Sequence, residues 1–150
     1  MATVTGRVGA YSITSQDVSP SADLPSACMR HIFKPSTDFG LKIGDTPVAA
    51  EKIVYVATGV CTVKGFHGLV NAAGSAASIT MDLKKNGSSI LSSAITITNS
   101  TGSRVTVDGT LTSVTLAAGD VLSVPLAVSS STGMQGPFAW VVVEEVSVTA

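Results

Sequence analysis

The chain has 150 residues, with nine Lys and Arg against ten Asp and Glu, a formal net charge of -1 and only 13 % charged residues. That length is enough to bury one sizeable core but leaves no room for two domains. So weak a net field excludes a surface built to hold a phosphate backbone or anionic lipid, and neither nucleic acid nor a membrane is expected as a partner. Mean hydropathy is positive, yet the apolar residues are Ala and Val mixed with Ser and Thr. No uncharged run of Leu, Ile and Phe reaches the roughly 18 residues of a spanning helix, so a soluble chain is expected.

Four of the six prolines, Pro20, Pro25, Pro35 and Pro47, fall in the first fifty residues, where no period of 2 or 3.6 is sustained. Residues 1–50 are therefore read as an extended N-terminal arm with loops, and residues 51–150 as the folded domain. Met1 to Arg7 lacks a basic stretch followed by an apolar core, which predicts synthesis in the cytoplasm without a secretory leader.

From Glu51 the text is strand-like, with β-branched residues in short runs broken by Gly, Asn and Asp. Ile53-Val-Tyr-Val56 reads as a buried strand. Val60 to Val70 reads as a second, with a bulge or bend at Gly65 or Gly68, and Gly74 as the start of a turn. Ile79, Met81 and Leu83 alternate with polar residues, so that strand is half buried. It ends at Lys85-Asn86-Gly87-Ser88, whose Asn and Gly tolerate the positive φ of a type I′ hairpin turn.

The return strand is expected over Ser89 to Thr98 with Ile95 and Ile97 facing in, and Asn99 to Gly102 closes it. Val105 and Val107 begin another strand. Leu111 to Leu116 and Val121 to Val128 flank the tight connection Ala117-Ala-Gly-Asp120, and Pro125 favours an edge or a bulge. Phe138 to Val143 is apolar on both faces, so a second cover beyond the opposing sheet, such as a neighbouring subunit, is expected. About eight strands at regular spacing predict an all-β antiparallel jelly-roll sandwich with an extended N-terminal arm.

Chemical signatures are sparse. No G-x-S-x-G, H-E-x-x-H, G-x-G-x-x-G or Walker-type segment occurs, and no catalytic residue is expected. Cys28-x-x-His31 with Cys61 and His67 is formally a Cys2His2 set. On one straight strand, however, Cys61 and His67 share a face about 20 Å apart, whereas zinc holds its ligands about 2.0–2.3 Å from one point. The cysteines are read as small buried hydrophobes, with no metal and no cofactor.

Glu144 and Glu145, adjacent on a strand, point to opposite faces and read as a solvated strand end rather than a catalytic pair. Asp120 reads as the residue that hydrogen-bonds its own turn. Lys84, Lys85 and Arg104 form a basic grouping at an exposed hairpin tip. Tyr11, Phe33 and Phe39 from the first fifty residues, with Phe138 and Trp140 on one face of the last strand, are the aromatic residues expected at an oligomer or partner interface. Asp108-Gly109 is too little for the metal-phosphate site of a nucleotide hydrolase.

Met81-Asp-Leu-Lys-Lys-Asn-Gly-Ser-Ser-Ile90 and Val114-Thr-Leu-Ala-Ala-Gly-Asp-Val-Leu-Ser-Val124 resemble the strand-turn-strand landmarks of C1q/TNF-like jelly rolls and of phage head-decoration and fibre-tip proteins. With its size, its proline-containing arm and its few aromatics, the chain most resembles a tailed-phage capsid decoration, or cement, protein. That resemblance implies a homotrimer on the exterior of the virion capsid, bound to the major capsid protein and made in the host cytoplasm. The other function implied is a fibre-tip or adhesin-type domain recognising a host surface glycan or protein.

Overall fold

The computed structural model describes residues 30–146, and all strand pairing in it is antiparallel. The strands are β1 (Arg30–Phe33), β2 (Ser36–Thr37), β3 (Ala50–Val56), β4 (Cys61–Met81), β5 (Lys84–Lys85), β6 (Ser88–Ser89), β7 (Ile95–Thr98), β8 (Val107–Gly109), β9 (Thr115–Leu116) and β10 (Val121–Val146). One 3-10 turn, Asn99–Thr101, follows β7. Two strands dominate: β4 has 21 residues and β10 has 26.

The short strands are pieces of longer runs. β1, β2 and β3 follow one another along one edge of β10, while β4 and β5 follow its other edge. β7, β8 and β9 run in turn along the far edge of β4. Sheet pairing therefore begins before residue 51, since β1 and β2 already bond to β10.

The ribbon is rolled back on itself. Leu122, near the start of β10, pairs with Tyr55, whose hydroxyl donates to Glu145 Oε1 near the other end of the same strand at 2.8 Å. Laid straight at about 3.3 Å per residue, those two points would lie some 75 Å apart. The ladder is broken to allow the bend, with register shifts between Val128 and Ser130 and between Thr132 and Met134. There Gly74 (φ 73°) lies against Gly133 (φ 71°), and a Cβ at Gly74 would run into the Thr132 carbonyl and within 2.6 Å of Met134 N. Small residues around them, Ala72 to Ser78 and Ser129 to Thr132, let the ribbon double over without steric conflict.

The result is the all-β antiparallel jelly-roll sandwich. Leu122, Val124, Leu126, Ile79, Met81, Leu83 and Ile97 from one half meet Phe66, Val70, Leu116, Ala139, Val141 and Val143 from the other in one core. The Asn86-Gly87 turn has φ 50° and 84° as a type I′ hairpin demands, with β5 and β6 on either side. Pro125 lies across from the gap between β4 and β5, where no ladder donor is needed, and its carbonyl accepts Asp82 N–H at 3.1 Å.

Several expectations change. Ile53 is 70 % exposed and Val56 51 %, because among the described residues β3 pairs with β10 alone and forms an edge. Gly74 opens no turn but a bulge inside β4. The return strand is interrupted between β6 and β7, and Leu111 to Leu116 supplies only a bridge at Leu91 and the two residues of β9. In place of eight regular strands there are two very long ones with fragments along their edges. Lys84 and Lys85 are half-buried in ion pairs with Glu51 (3.4 Å) and Asp120 (2.8 Å), while Arg104 lies apart from them, bonded to Asn71.

The bend makes the Gly74→Ala variant informative beside Gly119→Ala. Gly119 also has positive φ, 86°, but with nothing within 4 Å of a Cβ there. Gly119→Ala is expected to cost about 1 kcal/mol through φ alone, and Gly74→Ala at least about 2 kcal/mol more through the backbone clash. Urea unfolding measures both; equal midpoints would contradict a close-packed bend at Gly74.

Candidate functional site

Beyond the bend, the alternation along the two long strands sends one set of side chains into the core and the other to the outer surface. On β4 the outward set is His67, Leu69 and Asn71, half-buried between buried neighbours; on β10 it is Phe138, Trp140 and Val142. Register puts Leu69 opposite Phe138 and His67 opposite Trp140. The His67 imidazole lies on the indole at 5.0 Å between centroids and 24°, and the Phe138 ring is 6.0 Å from the indole, tilted by 37°. Asp108, the β8 partner of His67, holds its Nδ1 at 2.7 Å and fixes the imidazole plane. A row of flat rings thus stands on the outer sheet face.

Two loops wall the row. In the first, residues 38–49, Phe39 adopts φ 60° and is buried in the core, anchoring the segment. Asp38 Oδ1 accepts Gly40 N–H at 2.8 Å and Asp45 Oδ2 accepts Lys42 N–H at 2.8 Å, closing local turns. The loop is fastened to the sheet where the Asp45 carbonyl accepts Gly136 N–H at 2.9 Å and the Ile43 carbonyl accepts Asn71 Nδ2 at 3.3 Å. Gly136 has φ 57°, and a Cβ there would strike the Ile43 carbonyl oxygen.

The second wall carries Arg104, also at φ 60°. Its N–H donates to the Val70 carbonyl at 2.8 Å, and its Nε to Asn71 Oδ1 at 3.1 Å. Between the walls is a groove of about 560 Å³ lined by Asp38, Lys42, Leu69, Arg104, Pro137 and Phe138 among others. It shares Leu69 and Phe138 with a shallower depression that adds Lys34, Ser36 and Trp140. The size and the apolar floor with polar rims fit a ligand pocket.

Elsewhere the polar groups close the roll. Glu145 Oε1 accepts from Tyr55 Oη (2.8 Å), Thr58 Oγ1 (3.1 Å) and Cys61 Sγ (3.6 Å). The Tyr55 hydroxyl bond, then the Thr58 one, hold the Glu145 carboxyl below the ordinary range. Burial pushes the Tyr55 hydroxyl up. Asp120 is lowered to about 2 by Lys85, by Ala117 N–H and by Asn86, which gives it the turn-holding role expected of it. Glu51 is lowered by the Ser123 hydroxyl at 2.7 Å and by Lys84.

Of the aromatic residues expected at an interface, Phe138 lines the groove and Trp140 its shallower continuation, their rings 6.0 Å apart. Phe33 lies on the β1 edge, partly exposed, with the His31 ring 6.1 Å away. Phe39 is core instead, because the 38–49 loop needs an anchor. Tyr11 and Cys28 lie outside the described residues. Cys61 and His67 do not share a face. The register shift between Val142 and Val143 leaves Lys64 as an extra residue, so the alternation flips and Cys61 points inward while His67 points outward.

Glu144 and Glu145 do diverge, but Glu144 is 7 % exposed and pairs with Lys64 at 3.3 Å, so the strand end is not solvated. Sequence reasoning missed His67, Leu69, Arg104 and Asp108 as parts of one site, since only strand register brings them beside Phe138 and Trp140.

No family model and no curated protein matches the chain. Among solved structures, a carbohydrate-binding module of the CBM36 type in complex with calcium and xylotriose is similar over 77 % of this chain and 99 % of that one, at 20 % identity and a TM-score of 0.35.

The lowered carboxyls set an acid limit. Each has a folded-state pKa below its unfolded value, so the stability it contributes is complete above the ordinary carboxylate pKa of about 4 and is lost as pH falls through the folded value. The thermal midpoint, followed by circular dichroism, is expected to be level from about pH 7 to about pH 5 and to fall towards about pH 2. Asp120→Asn should start lower and fall less steeply; a decline identical to the parent's would contradict the role given to Asp120.

Proposed function

We propose that this chain is a non-enzymatic recognition domain, of the adhesin or fibre-tip kind, that binds a host surface glycan or protein in the groove over Phe138 and Trp140. The observation that carries this reading is the row of rings on the outer sheet face. The inner face fills the core and needs no further cover, yet the outer face holds three stacked or tilted rings beside a walled groove. Aromatic rings in such a position offer large, rigid contact area at small entropic cost, which is the chemistry of a binding platform.

Two further observations support it. Both walls are held in place by non-glycine residues at positive φ, Phe39 and Arg104, and such conformations concentrate at ligand clamps. The carboxylates Glu51, Asp120 and Glu145 are each engaged in hydrogen bonds that tie strands and turns together, which suits a binding role better than acid–base work.

A second reading has its own observation. β3 has no strand partner on its far edge among the described residues, and Ile53, Val56 and Val60 are exposed on or beside it. An unpaired, apolar edge is a site for another chain. The edge supports association with another chain; that this chain is a homotrimer decorating the capsid exterior on the major capsid protein is the second proposal, carried by the resemblance of its strand-turn-strand segments.

Trp140→Ala and Phe138→Ala are each expected to lower binding to host cells or to arrayed surface glycans at least tenfold, corresponding to about 1.4 kcal/mol, while the circular dichroism spectrum stays native. Unchanged binding in both variants would remove the groove from the account. For the second reading, light scattering after size exclusion should show an oligomer that Ile53→Asp converts to monomer; a parent chain that is already monomeric would count against it.

A further inference from the structure

We infer that the ligand of this groove is an acidic saccharide, a pyranose chain carrying carboxylates; the inference rests on the recognition reading above. It comes from how the cations are distributed. Lys64, Lys84 and Lys85 are each in an ion pair with a carboxylate. Lys34, Lys42, Lys52 and Arg104 make none among the described residues. Three of these four, Lys34, Lys42 and Arg104, line the groove and its continuation. The fourth, Lys52, places its ammonium 3.7 Å from where a Cβ at Gly40 would be, against the same wall.

The near-neutral total charge therefore conceals a local excess of positive charge around the aromatic floor. Asp38, the one carboxylate among the described residues that line the groove, is already bonded to the Gly40 N–H of its own turn. Arg104 uses Nε on Asn71, which aligns the guanidinium and leaves its terminal nitrogens for a second planar acceptor. A guanidinium so held is pre-organised for a ligand carboxylate.

The floor selects the rest of the ligand. Leu69, Phe138 and Trp140 form an apolar, ring-faced strip that matches the C–H face of a pyranose. Around it, Ser36 and Asp38 are placed to exchange or accept hydrogen bonds with its hydroxyls. A nucleic acid would also stack on the rings, but its backbone brings phosphates and few donors to Asp38. An acidic saccharide brings both the charge for the cations and the hydroxyls for Asp38.

The test is calorimetric titration of the full chain with galacturonate and glucuronate trisaccharides and sialyllactose. Each is paired with its methyl ester, and an oligodeoxythymidine serves as the phosphate competitor. The acids are expected to bind, and each ester to bind about tenfold more weakly. The double variant Lys42→Gln, Arg104→Gln should bring the acid down to the level of its ester without changing the ester. Trp140→Ala should abolish both.

Equal binding of acid and ester through Trp140 would overturn the acidic-ligand inference and leave the recognition groove standing. Preference for the oligonucleotide would overturn it in favour of a phosphate ligand. Binding of no saccharide, acid or neutral, would overturn the acidic-ligand inference, and host-cell binding indifferent to Trp140→Ala would overturn the recognition reading with it.

Discussion

A β-strand of 26 residues would be about 85 Å long if it ran straight, about twice the width of a compact domain of this size. In this protein it is doubled over, and the hydrogen bond from Tyr55 to Glu145 joins what would otherwise be its distant ends. The bend is made affordable by Gly74 and Gly133 facing each other and by the run of Ala and Ser around them. Once the ribbon folds there, inward residues of its two halves meet as a single core, and outward residues of the second half become a wall open to the surface. The groove is a consequence of that geometry: its floor is the outer face of the doubled ribbon, and the 38–49 loop is fastened at Gly136, beside the bend.

The electrostatics reinforce the same closure. Glu145 gathers three donors from β3, β4 and the connection between them, and Asp120 ties the last turn to the β5 hairpin through Lys85 and Asn86. These bonds spend carboxylates on holding strand ends together. Among the described residues, the cations left without such partners are Lys34, Lys42 and Arg104 around the groove and Lys52 against its wall, so the division between structural and ligand-facing charge follows from which carboxylates the roll engages.

Much of this was legible in the sequence, and what escaped has a physical reason. The alternation of Ile79, Met81 and Leu83, the Asn86-Gly87 turn and the inward Ile95 and Ile97 depend on neighbours a few residues away, and local pattern reports them well. The exposure of Ile53 is not in the local pattern, because a run of apolar residues is the same text whether its strand is central or at an edge; only the pairing partners decide. Gly74 reads as a turn because a glycine bulge within a long strand and a turn between two strands use the same residue. The face of His67 depended on one extra residue at Lys64, which no alternation rule anticipates. Phe138 and Trp140 were singled out as surface aromatics, but His67, Arg104 and Asp108 join them only through register between segments up to 70 or so residues apart in the chain.

Trp140 is the single tryptophan of the chain, so its emission reports on the groove directly. The most direct measurement is therefore the intrinsic fluorescence of the chain during titration with a bound saccharide, with acrylamide accessibility followed in parallel. Occupation of the groove should shift the emission and lower the quenching constant in proportion to ligand bound. Saturable binding by an independent method with emission and quenching both unchanged would place the ligand elsewhere and contradict the account.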